Sequence, residues 1–437
     1  MLVVSACGID GRAVIAAAGA GGNASSAEGG SGGAAAGSAG AGGGAGESGG
    51  SGSAAGAGGL AGAGNAGTGG DGGNGGAAGD CGTEGGACCS DGARCSAGLG
   101  CDEGAGACAR CAAFRGVGIL PGYTSSIAQG ISGDGRVVIG YSEDDTGRTM
   151  AFRLEWENAG EAVALGVLPG GTSSLARATS YDGYAVVGDS GSTNGPRGFR
   201  WTPGTLLDLG TWAEGDVASN AADVSADGNA VAVTSDLLDG GSLAFRWLLA
   251  GDKVPVIGME EARAISADGN TLVGNRLGGG GNEAVISTLT DPSGAQALGT
   301  LSGDAVAFAR NLSADGNVAI GVSGSCGCRG FFWRDGVIDL ADGIERALAT
   351  NEDGSILGGT MTASTCSSGR AAIWQPGPGT RAVACDALPA GTVPNGWSLT
   401  SVNAISDDGR VIAGEGINPA LAAEGWVAVI GPDCSAD

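Results

Sequence analysis

The side chains of this 437-residue chain that could do chemistry are its acids, its thirteen cysteines and its arginines, with Lys253 as the one lysine. Histidine is absent, which removes the commonest general base, every Ser-His triad and every imidazole metal ligand. One aspartate recurs before a glycine, at Asp134, Asp182, Asp227, Asp268, Asp315, Asp353 and Asp408. A Ca²⁺ loop needs oxygen ligands at several alternate positions, and here each copy offers a single Asp. The seven aspartates are therefore expected to be structural turn residues, with a serine bonding the backbone nearby. The acidic neighbours Asp144-Asp145, Glu260-Glu261 and Asp407-Asp408 are candidates for glycosidase carboxylates. Adjacent residues of a strand point to opposite faces, however, which weakens each pair. A sialidase-like site would need an arginine cluster and a tyrosine nucleophile, and Tyr123, Tyr141, Tyr181 and Tyr184 all fall early in the repetitive part of the chain. The run Leu277-Gly278-Gly279-Gly280-Gly281-Asn282 has no following Lys-Ser/Thr and no helix, so it reads as a long connection rather than a phosphate cradle. No catalytic residue, cofactor or metal ligand is expected.

The elements that must carry these residues are legible as repeats. The aspartates lie in AQGISGDGRVVIG, ARATSYDGYAVVG, AADVSADGNAVAV, ARAISADGNTLVG, ARNLSADGNVAIG, ALATNEDGSILGG and VNAISDDGRVIAG, at intervals of 48, 45, 41, 47, 38 and 55 residues. Each is followed by a second short apolar run: AFRLEW, GFRW, AFRW, EAVIST, FFW, AAIW or GWVAVI. A Leu-rich piece follows most of these, as in AVALG and LLDLG. Alternation and β-branched residues predict strands, and an Asp-Gly pair between two apolar runs predicts a two-residue hairpin with both residues at positive φ. Four strands per repeat, seven times over, predict an all-β, seven-bladed β-propeller across residues 112–437. The last repeat stops after its third strand, and GVGILPGYTSS at 116–126 matches ALGVLPGGTSS at 164–174, so the N-terminal strand should complete the last blade. The Arg and Trp of the third strand are expected to be a packed strand pair, Arg over Trp as a cation–π stack within a blade.

Composition divides what precedes the propeller. Residues 8–80 are mostly Gly, Ala and Ser, too poor in large apolar side chains to offset their ordering entropy, and are expected to form a disordered tether. Residues 81–111 hold Cys81, Cys88, Cys89, Cys95, Cys101, Cys108 and Cys111, expected as a disulfide-rich module, with zinc as the alternative. Residues 1–7 resemble a truncated lipoprotein signal, in which Val4-Ser5-Ala6 precedes a lipid-bearing Cys7. Cys326, Cys328 and Cys366 fall between second and third strands and Cys385 late in the sixth repeat's fourth strand, places that a propeller brings to one rim, giving two disulfides between adjacent blades or, alternatively, a zinc site. Seven cysteines cannot pair among themselves, so one must reach outside, and ring closure makes Cys111–Cys434 the natural bridge with Cys108 as substitute.

With those residues in view, the repeats resemble the bacterial extracellular repeat family called HAF. Its pattern of Ala-x-x-Ile-Ser-x-Asp-Gly, Val-Val-Gly and Ala-Phe-Arg-Trp is matched at 128–153, 221–247 and elsewhere, and the resemblance covers roughly residues 114–430. The fourth unit departs with EAVIST, and the sixth with Asn351-Glu352. The resemblance implies secretion or surface display and brings no activity with it.

The net charge of −25 repels phosphate backbones, so no nucleic-acid partner is expected. The expectation is a monomeric lipoprotein at the cell surface, anchored in the outer membrane by lipid alone. Its propeller is expected to be a non-catalytic binding or display module for a glycan or a cell-envelope protein. The alternative is an extracellular polysaccharide-degrading enzyme using carboxylates of the propeller channel.

Overall fold

The computed structural model describes residues 111–431 except 159, 290–293, 325–327 and 362–369, together with the backbone of Leu99–Asp102 and Ala107–Arg110. The expectations on Cys7, on the tether at 8–80 and on Cys81, Cys88, Cys89, Cys95, Cys326, Cys366 and Cys434 fall outside the described residues. So do the side chains of Cys101, Cys108 and Cys385. Leu99–Asp102 and Ala107–Arg110 pair as a hairpin that sets Cys101 opposite Cys108 in register.

From Ala113 onward the chain forms seven four-stranded antiparallel sheets, the seven-bladed propeller that the repeats predict. Blade 1 runs outward as Ser125–Ile131, Val137–Glu143, Thr149–Glu155 and Val163–Ala164. Blades 2 to 6 repeat that order from the innermost strands Ser174–Thr179, Ala218–Val224, Glu261–Ile265, Ala307–Leu312 and Ile344–Thr350. Blade 7 takes Ser398–Ile405, Val411–Ile417 and Ala423–Val429 from the end of the chain and its outer strand, Ala113–Gly116, from the start. The closing strand thus ends at Gly116 instead of beginning there. The Leu-Pro-Gly segments after it and its counterparts are connections between blades, because a proline cannot donate to a ladder. Among the described residues the one helical element is a π-helical turn, Val383–Ala387, which places Cys385 after the outer strand of blade 6 instead of within it. No helix there is long and apolar enough to cross a membrane.

The apolar core is not central. It forms seven clusters, one at each blade boundary, such as Ile139, Ala151, Ala176 and Phe199 between blades 1 and 2, and Val138, Phe152, Val411 and Val427 between blades 7 and 1. A buried aromatic of the third strand (Phe152, Phe199, Phe245, Phe331 or Trp426) anchors five of the blades. In four of these blades a glycine stands across from it, under a carbonyl of the innermost strand, while in blade 3 Val233 faces Phe245. A Cβ on Gly140 would lie 1.9 Å from the Ile127 oxygen, and Gly188, Gly274, Gly321, Gly359 and Gly414 are in the same position.

The Ser-x-Asp-Gly turns differ from the hairpin expected. Only the glycine has positive φ (+74° at Gly135), while the aspartate does not. In blade 1 the Gly135 N–H donates to the Ser132 carbonyl at 2.8 Å, and the Ser132 N–H to the Val137 carbonyl at 2.8 Å. This is a type I turn continued by a left-handed glycine. The side chains lock it: the Ser132 hydroxyl donates to Asp134 Oδ1 at 2.6 Å and accepts the Val137 N–H at 2.9 Å. In blade 6 Asn351 replaces the serine, and its amide donates to Asp353 while accepting the Ile356 N–H.

Two sets of bonds join the blades. Main-chain bonds run from Asp134 to Tyr181, Tyr181 to Ala226, Ala226 to Ala267, Ala267 to Ala314, Asp315 to Glu352, Glu352 to Asp407 and Asp407 to Gly133, a closed circuit of seven links at 2.8–3.2 Å. The third-strand arginines supply the other set, and they do not stack on tryptophan as expected. Arg153, Arg200 and Arg246 donate to the turn carbonyls of Gly183, Gly228 and Gly269 in the next blade. Among the described residues the one cation over a ring is Lys253, above Phe245. A guanidinium gains more from a fixed carbonyl at 2.7–2.9 Å than from an exposed ring face. The glycine run at 277–282 is also tighter than expected: Gly278 pairs with Gly281, leaving a two-residue turn.

Candidate functional site: the central channel

The seven innermost strands surround a channel holding a cavity of about 150 Å³. Its wall includes Asp223, Arg177, Asn311, Asn403, Tyr181 and Asp407. These come from the bulge and from the variable position of each Ser-x-Asp-Gly turn, two places where residue type changes from blade to blade. Asp223, in blade 3, accepts the Val224 N–H and, across the boundary, the Ile265 N–H of blade 4, both at 2.8 Å. Burial pushes its carboxyl up to about 7. Asp407, in the blade 7 turn, is pushed up to about 6, first by burial and then by the charges of Glu352, Asp408 and Asp134. Blades 3 and 7 lie on opposite sides of the ring, so two carboxyls raised well above the usual carboxylate range line one cavity. Arg177 is turned to Asp189, Nη2 to Oδ2 at 2.7 Å.

The seven turn aspartates stand around the channel end with their oxygens taken by serine, asparagine and main-chain donors. Asp268 is held below the usual carboxylate range, first by the Ser266 hydroxyl. Burial opposes the same shift at Asp182, Asp227 and Asp315, and their hydrogen bonds overcome it. Among the described residues no group of three or more His, Cys, Asp or Glu gathers as metal ligands would. Cys111 and Cys328 are each disulfide-bonded. Of the acidic pairs, Asp144 binds Thr146 and Arg148, Glu261 pairs with Arg263, and Asp407 alone lines the cavity. Sequence reasoning missed Asp223; its one signal is an acid where the other repeats carry Gly, Ala or Asn.

These shifts fix the pH dependence of stability. The folded protein keeps the protons of Asp223 and Asp407 where the unfolded chain, with carboxyls near 4, has lost them. Their contribution is complete below about pH 4 and is lost as pH rises through about 6 and 7. The lowered turn aspartates act oppositely and lose theirs as pH falls below about 4. Thermal melting is therefore expected to peak near pH 4–5 and decline toward pH 8, with a flatter slope in Asp223→Asn and Asp407→Asn. A melting temperature that climbs from pH 5 to 8 in the wild type would contradict the assignment.

The fold and this narrow polar channel define a seven-bladed β-propeller. No family model matches the chain, and no curated protein does. Solved structures match the fold at low identity. TolB from Acinetobacter baumannii is 11% identical over 69% of this chain and 66% of that one, with a TM-score of 0.41. The β-propeller domain of the trilobed protease from Pyrococcus furiosus is 7% identical over 70% and 93%, with a TM-score of 0.47. Oligogalacturonate lyase from Vibrio parahaemolyticus is 10% identical over 73% and 97%, with a TM-score of 0.48.

Proposed function

We propose that this protein is a bacterial surface lipoprotein whose propeller is a non-catalytic binding or display module for a glycan or a cell-envelope protein. One observation carries the reading. The repeated polar residues are spent on architecture, serine and aspartate in the turns and arginine in the blade ties, so recognition falls to the residues that vary between blades. The resemblance to HAF repeats and the Gly/Ala-rich stretch after Cys7 support a lipid-anchored surface address. Cells are expected to incorporate labelled palmitate into the protein, and Cys7→Ser to release it into the medium; unlabelled, soluble wild type would sink the anchor. An array of glycans and envelope proteins probed with the full chain tests the binding role.

Catalysis on a polysaccharide by channel carboxylates is the second reading, and the pairing of Asp223 with Asp407 on one cavity favours it. Against it, both Asp223 oxygens already accept main-chain N–H groups, and about 150 Å³ is small beside the 300–1,000 Å³ of ordinary ligand pockets. Polysaccharide cleavage lost in Asp407→Asn would establish it.

A further inference from the structure

The propeller has two rims. One carries the Ser-x-Asp-Gly turns, and the other carries the connections between second and third strands and those that lead from blade to blade. On the second rim, blades 3 and 4 expose four large apolar side chains: Val217 (55%), Leu238 (78%), Ile257 (65%) and Leu277 (69%). Hydrogen bonds hold their loops in place. The Val217 N–H donates to the Asp236 carbonyl at 2.9 Å, and the Ala295 N–H to the Ile257 carbonyl at 2.7 Å. The Leu277 N–H donates to Glu260 Oε2 at 3.1 Å, and across the blade boundary the Ala262 N–H donates to Thr234 Oγ1 at 3.0 Å.

The loops that carry these side chains are acidic, with Glu214, Asp236, Asp239 and Glu260 all exposed. Neighbouring cations are already engaged: Arg276 by Glu283 and the Ala295 carbonyl, Lys253 by the Thr211 carbonyl. Exposed apolar groups gathered on one rim of adjacent blades mark a candidate interaction surface, and the charge on the same loops selects what approaches. A second copy would set this acidic ground against itself, and an anionic lipid surface would be repelled in the same way.

We propose that this rim of blades 3 and 4 docks a protein partner through a segment that presents apolar side chains flanked by lysine or arginine. The proposal rests on the binding-module reading. The occupant must supply both features, since leucines alone leave the four carboxylates uncompensated and lysines alone leave the leucines in water.

The test is fluorescence anisotropy with the full chain and a labelled synthetic peptide of alternating leucine and lysine. A leucine–glutamate peptide, a glycine–lysine peptide and phosphatidylglycerol vesicles serve as controls. The leucine–lysine peptide is expected to bind at least tenfold tighter than any control and to weaken with salt. Leu238→Ser with Leu277→Ser should cost at least tenfold, while Leu421→Ser in blade 7 should change nothing; all are exposed, and melting curves verify folding. Equal binding by the double variant, by the leucine–glutamate peptide or by the vesicles overturns the proposal, as does a wild-type dimer that the double variant abolishes. Failure here with a ligand found on the array removes this surface and leaves the binding module standing; failure of both removes the module.

Discussion

Gly140→Ala is expected to cost about 3 kcal/mol or more, or to prevent folding outright. The new methyl would lie 1.9 Å from the Ile127 carbonyl oxygen and 3.0 Å from the Phe152 ring. The oxygen is main chain, on the innermost strand beside the bulge between Ala128 and Gly130, and cannot rotate away. Relief requires moving the strand, the buried Phe152 or the blade boundary. Gly118→Ala is the control: its φ is +80° with nothing within 4 Å of the added atom, so about 1–2 kcal/mol of left-handed strain is expected. Chemical denaturation of both variants compares them, and a Gly140→Ala no worse than Gly118→Ala would mean that the bulge is soft.

Breaking the disulfide at Cys111 is the second large effect. Cys111 precedes by two residues the strand that shuts the ring, and the register pairs Ala113 with Val429. Continued outward, that register sets Cys111 opposite Gly431, three residues before Cys434, so non-reducing peptide mapping is expected to return Cys111 joined to Cys434. A loop of that span is worth about 5–6 kcal/mol in the chain-entropy model. Cys111→Ser, or reduction of the wild type, should accordingly lower the melting temperature by many degrees and loosen blade 7 before the rest. Protection of Val117, whose N–H donates to the Gly425 carbonyl at 2.9 Å, reports this by hydrogen exchange. A fragment joining Cys434 to any other cysteine, or an unchanged Val117, would break the account.

The blade number was readable because each repeat solves one local problem with the same few residues. Ser132, Asp134 and Gly135 satisfy a turn among themselves, so their pattern survives in sequence whatever surrounds them. Ring closure was readable for a similar reason, since the last repeat visibly lacks a strand. What lay hidden depends on neighbours distant in the chain. The arginine of Phe-Arg-Trp looked like a partner for its own tryptophan, and its acceptor, the next turn's carbonyl, has no side-chain signature. The backbone circuit through Tyr181, Ala226 and Ala267 leaves no trace in residue type at all. Asp223 was hidden too: one acid in one repeat reads as drift until the bulge turns it into a channel shared with Asp407.

The closing strand also decides how the molecule answers to tension. Everything N-terminal of Ala113 joins the propeller through a strand of four residues, Ala113–Gly116. A tug on that leader while the ring is held loads the four pairs in turn from Ala113↔Val429 inward, as a zipper opens. The bond at Cys111 stands upstream of the first pair, so if its partner is Cys434 it takes the strain before the closing strand's ladder does. With the expected bond to Cys434 intact, the closing strand stays tied to the chain that follows the third strand of blade 7 even if its four pairs open; once the bond is reduced, the same pull is expected to open the ring.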